Sequence, residues 1–533
     1  MELPGRYNAG FAHAMAQLPA EFNVATHFID GNVREGRGSK VAIECGDERV
    51  TYAQLLERTN RLGNALRKLG VRREERLQLI LLDTPEFLYS FFGAIKMGAV
   101  AVPTNTLLKP DDYRYLLNDT RARVAIVSQP LLPVVQAIPR TELPHLETII
   151  GTGEKTEGCL CFDELLEAAS PGLAPPATGR DDPAFWLYSS GSTGPPKGCV
   201  HLQHDMVVCT ESYAKGVLGI REDDRCYSVA RLFFAYGLGN AGYFPLAVGA
   251  TSILSPQPPT PDNVYAIIER FRPTLFYSVP TNYAALLNHP RKGEAIGDFD
   301  LSSIRHAVSA GEALPAALFE RFRERFRIEI LDAIGSTEAL HMFIANRQGE
   351  ARPGSSGKVI PGYEARIVDD AGQPVPIGEV GNLLIRGDAT CACYWGLPEK
   401  SAETFADGWL RTGDKYYQDA DGYFFYVGRS DDLFKVSGSW VSPFEVEAAL
   451  LRHPAVLEAA VVAREDGDRL LKPAAFVALR PPAIAGAALA TELQDFVAGQ
   501  LAGFKRPRWV EFLPELPKTA TGKLQRYKLR ERH

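Results

Sequence analysis

At 533 residues the chain is longer than one hydrophobic core usually fills, so more than one domain is expected. It is 45% hydrophobic, 10% aromatic and 23% charged, which is globular material, and its net charge of −7 gives no support for a general nucleic-acid binder. No window reaches ~18 uninterrupted apolar residues, so no membrane span is expected.

The first residues lack a basic segment followed by an apolar run, so no signal peptide is read there. The final RERH is no retention or peroxisomal signal. None of the eight cysteines makes a CxxC pair, which favours reduced structural thiols. A cytoplasmic location follows as the expectation. Residues 53–69 place apolar side chains at helical spacing. Short apolar runs at 77–82, 123–128, 147–150 and 250–255 have strand length and are bounded by loop residues. The alternation predicts an α/β fold: a large N-terminal domain of several subdomains with mainly parallel, layered sheets. The Pro/Gly-rich segment 171–183 reads as a connector.

Near Gly428 the pattern changes. Residues 442–454 read as a capped amphipathic helix, 455–463 and 474–479 as strands, and 490–502 as a helix, a small α+β unit. The charged GRSDDLFK, 428–435, falls at the junction as a hinge would. The expected division is 1–428, a hinge at 429–434, and a mobile domain at 435–533.

Four stretches carry chemistry. In WLYSSGSTGPPKG, successive backbone N–H groups through Gly191 and Gly194 can form an anion nest. The hydroxyls of Ser189, Ser190, Ser192 and Thr193 add donors, and Lys197 adds a positive charge. A Walker loop is ruled out, because Gly198 follows Lys197 and two prolines precede it. A plain flexible Gly/Ser loop is the bland alternative. In LDAIGSTEALHMF, a short strand runs into Gly335, Ser336, Thr337 and Glu338. A carboxylate beside two hydroxyls suits Mg2+ with waters. Equally, Ser336 or Thr337 could cap a helix with Glu338 in its first turn. Asp414 and Arg429 each read as lying in a tight turn; together they could grip ribose hydroxyls. Lys523 lies in the Gly-containing turn of PKTATGK, where a solvated lysine is the ordinary reading.

YSSGSTGPPKG, GSTE, RTGD, GRSDD and PKTATGK, in this order over nearly the whole chain, resemble the adenylate-forming superfamily of acyl-CoA synthetases, peptide-synthetase adenylation domains and luciferases. The resemblance implies a two-step reaction in which carboxylate and Mg-ATP give an acyl-adenylate and pyrophosphate, and a thiol then displaces AMP. It implies that Thr193 and its neighbours hold the β- and γ-phosphates and that Glu338 binds Mg2+. Ala310, Gly311 and Glu312, with Asp332, Ala333, Ile334 and Gly335, would line the adenine site, and Asp414 and Arg429 would hold the ribose. Ile334 departs from the pattern, since many relatives carry an aromatic residue there. Lys523 is implied as the adenylation lysine and Asp431 as the hinge. Swinging about Asp431 would replace Lys523 by the 435–443 segment, with Lys435, Ser437, Gly438 and Trp440 serving CoA.

RLFFAYGLGN, GSTEALHMF and KVSGSWVSPFEVEAAL resemble the benzoate–CoA ligase branch. By that resemblance Ala235, Tyr236, Gly335, His341 and Met342 line the acyl pocket, and the substrates are a small aromatic acid, ATP and CoA. Benzoate is the first expectation, with 2-aminobenzoate, 4-hydroxybenzoate or another aryl or alicyclic acid as alternatives. His341 could instead be a helix residue packed under the loop. An enzyme loading a carrier protein, a luciferase-like oxygenase and an inactive binding protein are weaker alternatives. No nucleic-acid or membrane partner is expected, and a monomer or homodimer is.

Overall fold

The computed structural model describes residues 18–189, 195–290, 298–429, 432–436, 439–467, 470–518 and 524–532. Strands Arg76–Ile80, Val100–Pro103, Val124–Val127 and Thr148–Gly151 pair in parallel within an eight-stranded sheet. Nearly every residue in them is buried, as strands covered on both faces require. The helix Pro85–Lys96 is buried almost throughout and packs on the first two of these strands. The amphipathic helix Tyr52–Lys68 covers it; its first turn is closed by a capping box between Thr51 and Gln54.

A nine-stranded sheet has a parallel centre running from Val41–Cys45 through Thr251–Leu254, Arg225–Ser228, Leu275–Ser278 and His306–Ser309 to Ile330–Gly335. A third, antiparallel sheet holds Tyr363–Val368, Gly381–Gly387, Leu410–Gln418 and Phe424–Arg429. One apolar cluster takes in Leu77 and Ile126 from the first sheet, Leu275 and Leu331 from the second, and Leu383 and Leu410 from the third. The three sheets thus share a core.

The last hundred residues build another core. Helices Pro443–Leu450 and Ala487–Ala498 supply Val446, Leu450, Leu493 and Val497 to a cluster with Val461 and Val477 of a three-stranded sheet, Val456–Glu465, Leu471–Leu479 and Trp509–Phe512. Ser442 caps the first helix by accepting the Glu445 N–H at 3.3 Å. Leu529 of the short helix Arg526–Arg530 joins a cluster with Phe476 and Ala460. Among the described residues no helix is long and apolar enough to cross a membrane.

Candidate active site

Strands Pro183–Ser189 and Lys197–Leu202 form an antiparallel hairpin in which Ser189 and Lys197 are direct partners. Five of the predicted phosphate-loop residues, Ser190, Gly191, Ser192, Thr193 and Gly194, lie outside the described residues, but the register brings both ends of the loop to one place. The Ser189 hydroxyl donates to Glu338 Oε1 at 3.0 Å. Lys197 Nζ lies 4.6 Å from the ring centre of Tyr394.

Glu338 belongs to a turn between the antiparallel strands Ile330–Gly335 and Met342–Ala345. Gly335 is required there, because a Cβ would meet the His341 carbonyl oxygen at 2.5 Å. Ser336 does what a cap residue does, accepting the Ala339 N–H at 3.2 Å, yet no helix follows. Leu340 turns left-handed, at φ 63°, and the chain returns as a strand. The helix-cap reading therefore fails on its second half. The turn presents Glu338 toward the hairpin rather than along a helix axis. Tyr394 donates a second hydrogen bond to Glu338 Oε1, at 2.8 Å. Among the described residues nothing hydrogen-bonds Oε2. One carboxylate oxygen held and the other open is the donor set Mg2+ accepts when substrate phosphates and waters complete its shell. Tyr394 was not predicted: its sequence neighbourhood, CYWG, is merely aromatic, and its partner is far away in the chain.

Asp414 and Arg429 correct the sequence reading. They are not in separate tight turns but are cross-strand partners on Leu410–Gln418 and Phe424–Arg429. Arg429 Nη1 donates to Asp414 Oδ1 at 3.1 Å and to the Thr412 carbonyl at 3.0 Å. Burial pushes the Asp414 carboxyl above its usual range, and Arg429 works against that shift. A Cβ at Gly413 would meet Arg429 Nη2 at 2.9 Å, so the left-handed glycine also makes room for the guanidinium.

Asp332 and Ala333 are buried in the strand that leads to Gly335, and Ile334 pairs with Ile344. Burial raises the Asp332 carboxyl well above normal, and its Oδ1 has no partner among the described residues. Beside it, Ala310 follows the strand His306–Ser309; Gly311 takes a left-handed φ of 89°, and Glu312 accepts from Thr281 Oγ1 at 3.0 Å.

The predicted acyl residues are brought together. Ala235 opens a short helical turn that continues in wider i→i+5 turns over Leu238–Tyr243. A Cβ at Gly239 would meet His341 Cδ2 at 2.4 Å, so glycine admits the imidazole there. The Tyr236 hydroxyl lies 3.2 Å from the carbonyl oxygens of Ser278 and Val308, and its ring centre is 5.8 Å from that of His341. His341 is buried, precedes a strand rather than standing in a helix, and packs edge-on against Phe244 at 4.5 Å. Burial pushes its pKa down to about 3, so the ring is neutral. Nε2 meets Asn240 Oδ1 at 3.2 Å, and Nδ1 is buried. Met342 is buried beside it and pairs with Gly335.

Lys435 and Trp440 are backbone partners across the two-stranded sheet Phe434–Val436 and Ser439–Val441. Ser437, Gly438, Asp431 and Lys523 lie outside the described residues.

The profile of AMP-binding enzymes matches residues 31–395, and that of the AMP-binding enzyme C-terminal domain matches residues 445–523. A benzoate–CoA ligase of Thauera aromatica is 47% identical over 519 residues, which cover 96% of this chain and 97% of that protein. The anthranilate CoA ligase AuaEII, solved with anthranoyl-AMP, superposes with a TM-score of 0.92 at 47% identity, covering 97% of this chain and 98% of that one. A benzoate CoA ligase from Burkholderia xenovorans LB400 gives a TM-score of 0.88 at 46% identity, covering 96% and 100%. With the family profiles matching 31–395 and 445–523 and relatives alike over almost the whole length, the chain belongs to the AMP-binding enzyme family.

Proposed function

We propose that the chain is an ATP-dependent aryl-CoA ligase whose preferred acid is benzoate. The observation that carries this reading is that one turn, 335–342, supplies both a half-open carboxylate beside the phosphate hairpin and the neutral imidazole of an aromatic pocket. The near-full-length likeness to benzoate and anthranilate ligases supports it.

In the first step a carboxylate oxygen of the acid attacks the α-phosphorus of ATP. The bond to pyrophosphate breaks, and an acyl-adenylate remains. In the second, the CoA thiol loses its proton and attacks the acyl carbon, and AMP departs with the electron pair. The first step needs little covalent help from protein and much positioning of charge. Mg2+, when bound, would neutralise phosphate charge. Glu338 Oε2 would face it, while Ser189 and Tyr394 fix Oε1. Lys197 and the 190–194 loop would take the β- and γ-phosphates, Asp414 and Arg429 the ribose, and 310–312 with 332–335 the adenine. The acid would lie among Ala235, Tyr236, Gly335, His341 and Met342. The division at 429–434 would let the C-terminal unit offer Lys523 for adenylation and Lys435, Ser437, Gly438 and Trp440 for thioester formation.

A neutral His341 places no cation in the pocket, which favours an uncharged ring over a second carboxylate. The likeness to the anthranilate ligase solved with anthranoyl-AMP supports 2-aminobenzoate as a second reading.

AMP release with Mg-ATP and CoA, measured over benzoate, 2-amino- and 4-hydroxybenzoate, cyclohexanecarboxylate, cinnamate and octanoate, tests the proposal. CoA-dependent release should be greatest with benzoate. Greatest release with octanoate or cyclohexanecarboxylate would sink the aromatic pocket, and release that ignores CoA would sink the ligase.

A further inference from the structure

Four residues beyond Lys197 on the same strand is a histidine that the reaction above does not use. His201 is fully buried, as is Asp205 one turn of chain later. His201 Nδ1 lies 2.8 Å from Asp205 Oδ2, which also accepts the Leu202 N–H at 3.1 Å. On the other side of the ring, His201 Nε2 lies 2.9 Å from the carbonyl oxygen of Thr337, the residue before Glu338. A carbonyl can only accept, so its presence assigns a proton to Nε2. The aspartate fixes the other edge of the ring, and Phe185 stacks on its face at 5.1 Å with planes 17° apart. The ring therefore has one orientation, set by three contacts, and its remaining donor is spent on a single peptide.

That peptide matters because Glu338 has no helix or strand of its own to hold it. Its backbone is pinned from two directions: His201 grips the Thr337 carbonyl, and the Cys391 N–H donates to the Glu338 carbonyl at 2.7 Å. Its side chain is then aimed by Ser189 and Tyr394. The same carbonyl also accepts the Leu340 N–H at 3.1 Å within the turn, so loss of His201 removes one of its two donors, the one that ties the turn to the hairpin, and leaves the peptide freer to rotate. Rotation would carry Glu338 away from its two hydroxyl donors.

We propose that His201, oriented by Asp205, is a positioning residue that fixes the Thr337–Glu338 peptide, and with it the carboxylate that serves the metal–nucleotide complex. The chain of contacts runs Asp205, His201, Thr337, Glu338, outward from a buried carboxylate to an open one. The inference rests on the proposed role of Glu338 and goes beyond it by naming what sets its geometry.

The deciding measurement is calorimetric binding of Mg-ATP, and of ATP in excess EDTA, to the full-length protein with no acid present. His201→Leu should weaken Mg-ATP about tenfold, as loss of an outer-shell partner does to a metal site, and leave metal-free ATP unchanged. His201→Gln, whose amide nitrogen can reach the position of Nε2, should stay within about twofold of the wild type. Asp205→Asn, close to isosteric, should fall between them, and it carries the test if the leucine variant fails to fold. Conversion of chemically made benzoyl-AMP to benzoyl-CoA should be unaffected in every folded variant. Unchanged Mg-ATP binding by His201→Leu, damage by His201→Gln as large as by leucine, or equal loss with and without metal would each overturn the proposal. A wild type that binds Mg-ATP yet turns over no aryl acid would remove the substrate reading and leave the calorimetry to decide this one.

Discussion

Tyr394 shows how much one hydroxyl can be asked to do. Its ring faces Lys197 and its oxygen donates to Glu338, so one side chain links the cation at the end of the hairpin to the carboxylate of the turn. Tyr394→Phe keeps the ring and deletes the donor. A hydrogen bond to a charged group contributes about 1.5–3 kcal/mol, so pyrophosphate exchange should fall at least about tenfold. Benzoyl-AMP conversion should stay near wild type, because that step follows pyrophosphate release. Exchange at the wild-type rate would show that Ser189 alone suffices. His341 makes the opposite case. Burial strips its charge, so it contributes shape rather than electrostatics.

At the scale of elements, one carboxylate links three parts of the C-terminal unit. Glu447, on the helix Pro443–Leu450, accepts two bonds from Arg526 Nη2, at 2.8 and 2.7 Å, and the Val461 N–H at 2.8 Å. One side chain thus joins two helices and a strand. Glu447→Gln would leave the Arg526 charge half-buried and poorly matched, a loss of roughly 2 kcal/mol once the partial exposure of Arg526 is discounted. Faster amide exchange confined to 443–532 is the expected reading, and uniform exchange along the chain would contradict it. This scale also separates what the sequence discloses from what it hides. Motifs made of neighbouring residues were legible: the strand into Gly335, the cap at Ser442 and the short apolar strands all follow from local chemistry. Asp414 and Arg429 were legible as a pair but misplaced. Gly413 and Gly428 look like turn glycines, whereas they lie within long strands, and the pairing slips register between Lys415 and Tyr416. Ser336 gave a true local signal, a cap hydrogen bond, whose usual consequence was overridden by the strand that follows. Tyr394 and His201 were hidden for another reason. Their roles depend on partners 56 and 136 residues away, and no local pattern encodes such contacts.

Across the whole molecule, chemistry is divided between two bodies of apolar packing. The three N-terminal sheets share one core, and the C-terminal sheet and helices have their own. The backbone bridge between Lys518 and Leu524 brackets the segment that contains Lys523. If the two units exchange roles between steps, Lys523→Ala should lose adenylation by about a hundredfold, the scale of one lost transition-state contact, and still convert benzoyl-AMP. Equal loss in both half-reactions would end the division of labour. The turn at 335–342 has a consequence for how such a protein can change its diet. If His341 and Met342 line the acid pocket as proposed, selection for a new acid would act on residues that share a hairpin bend with Glu338, and a shift there would reach the proposed nucleotide side as well. Mutational libraries aimed at that wall should therefore return many variants that bind the new ring but waste ATP affinity. The opposite wall, around Ala235 and Tyr236, is carried by a separate turn. It carries no residue proposed for the nucleotide, but it packs on His341 through Tyr236, Gly239 and Asn240, so changes there should reach Glu338 only through that one ring.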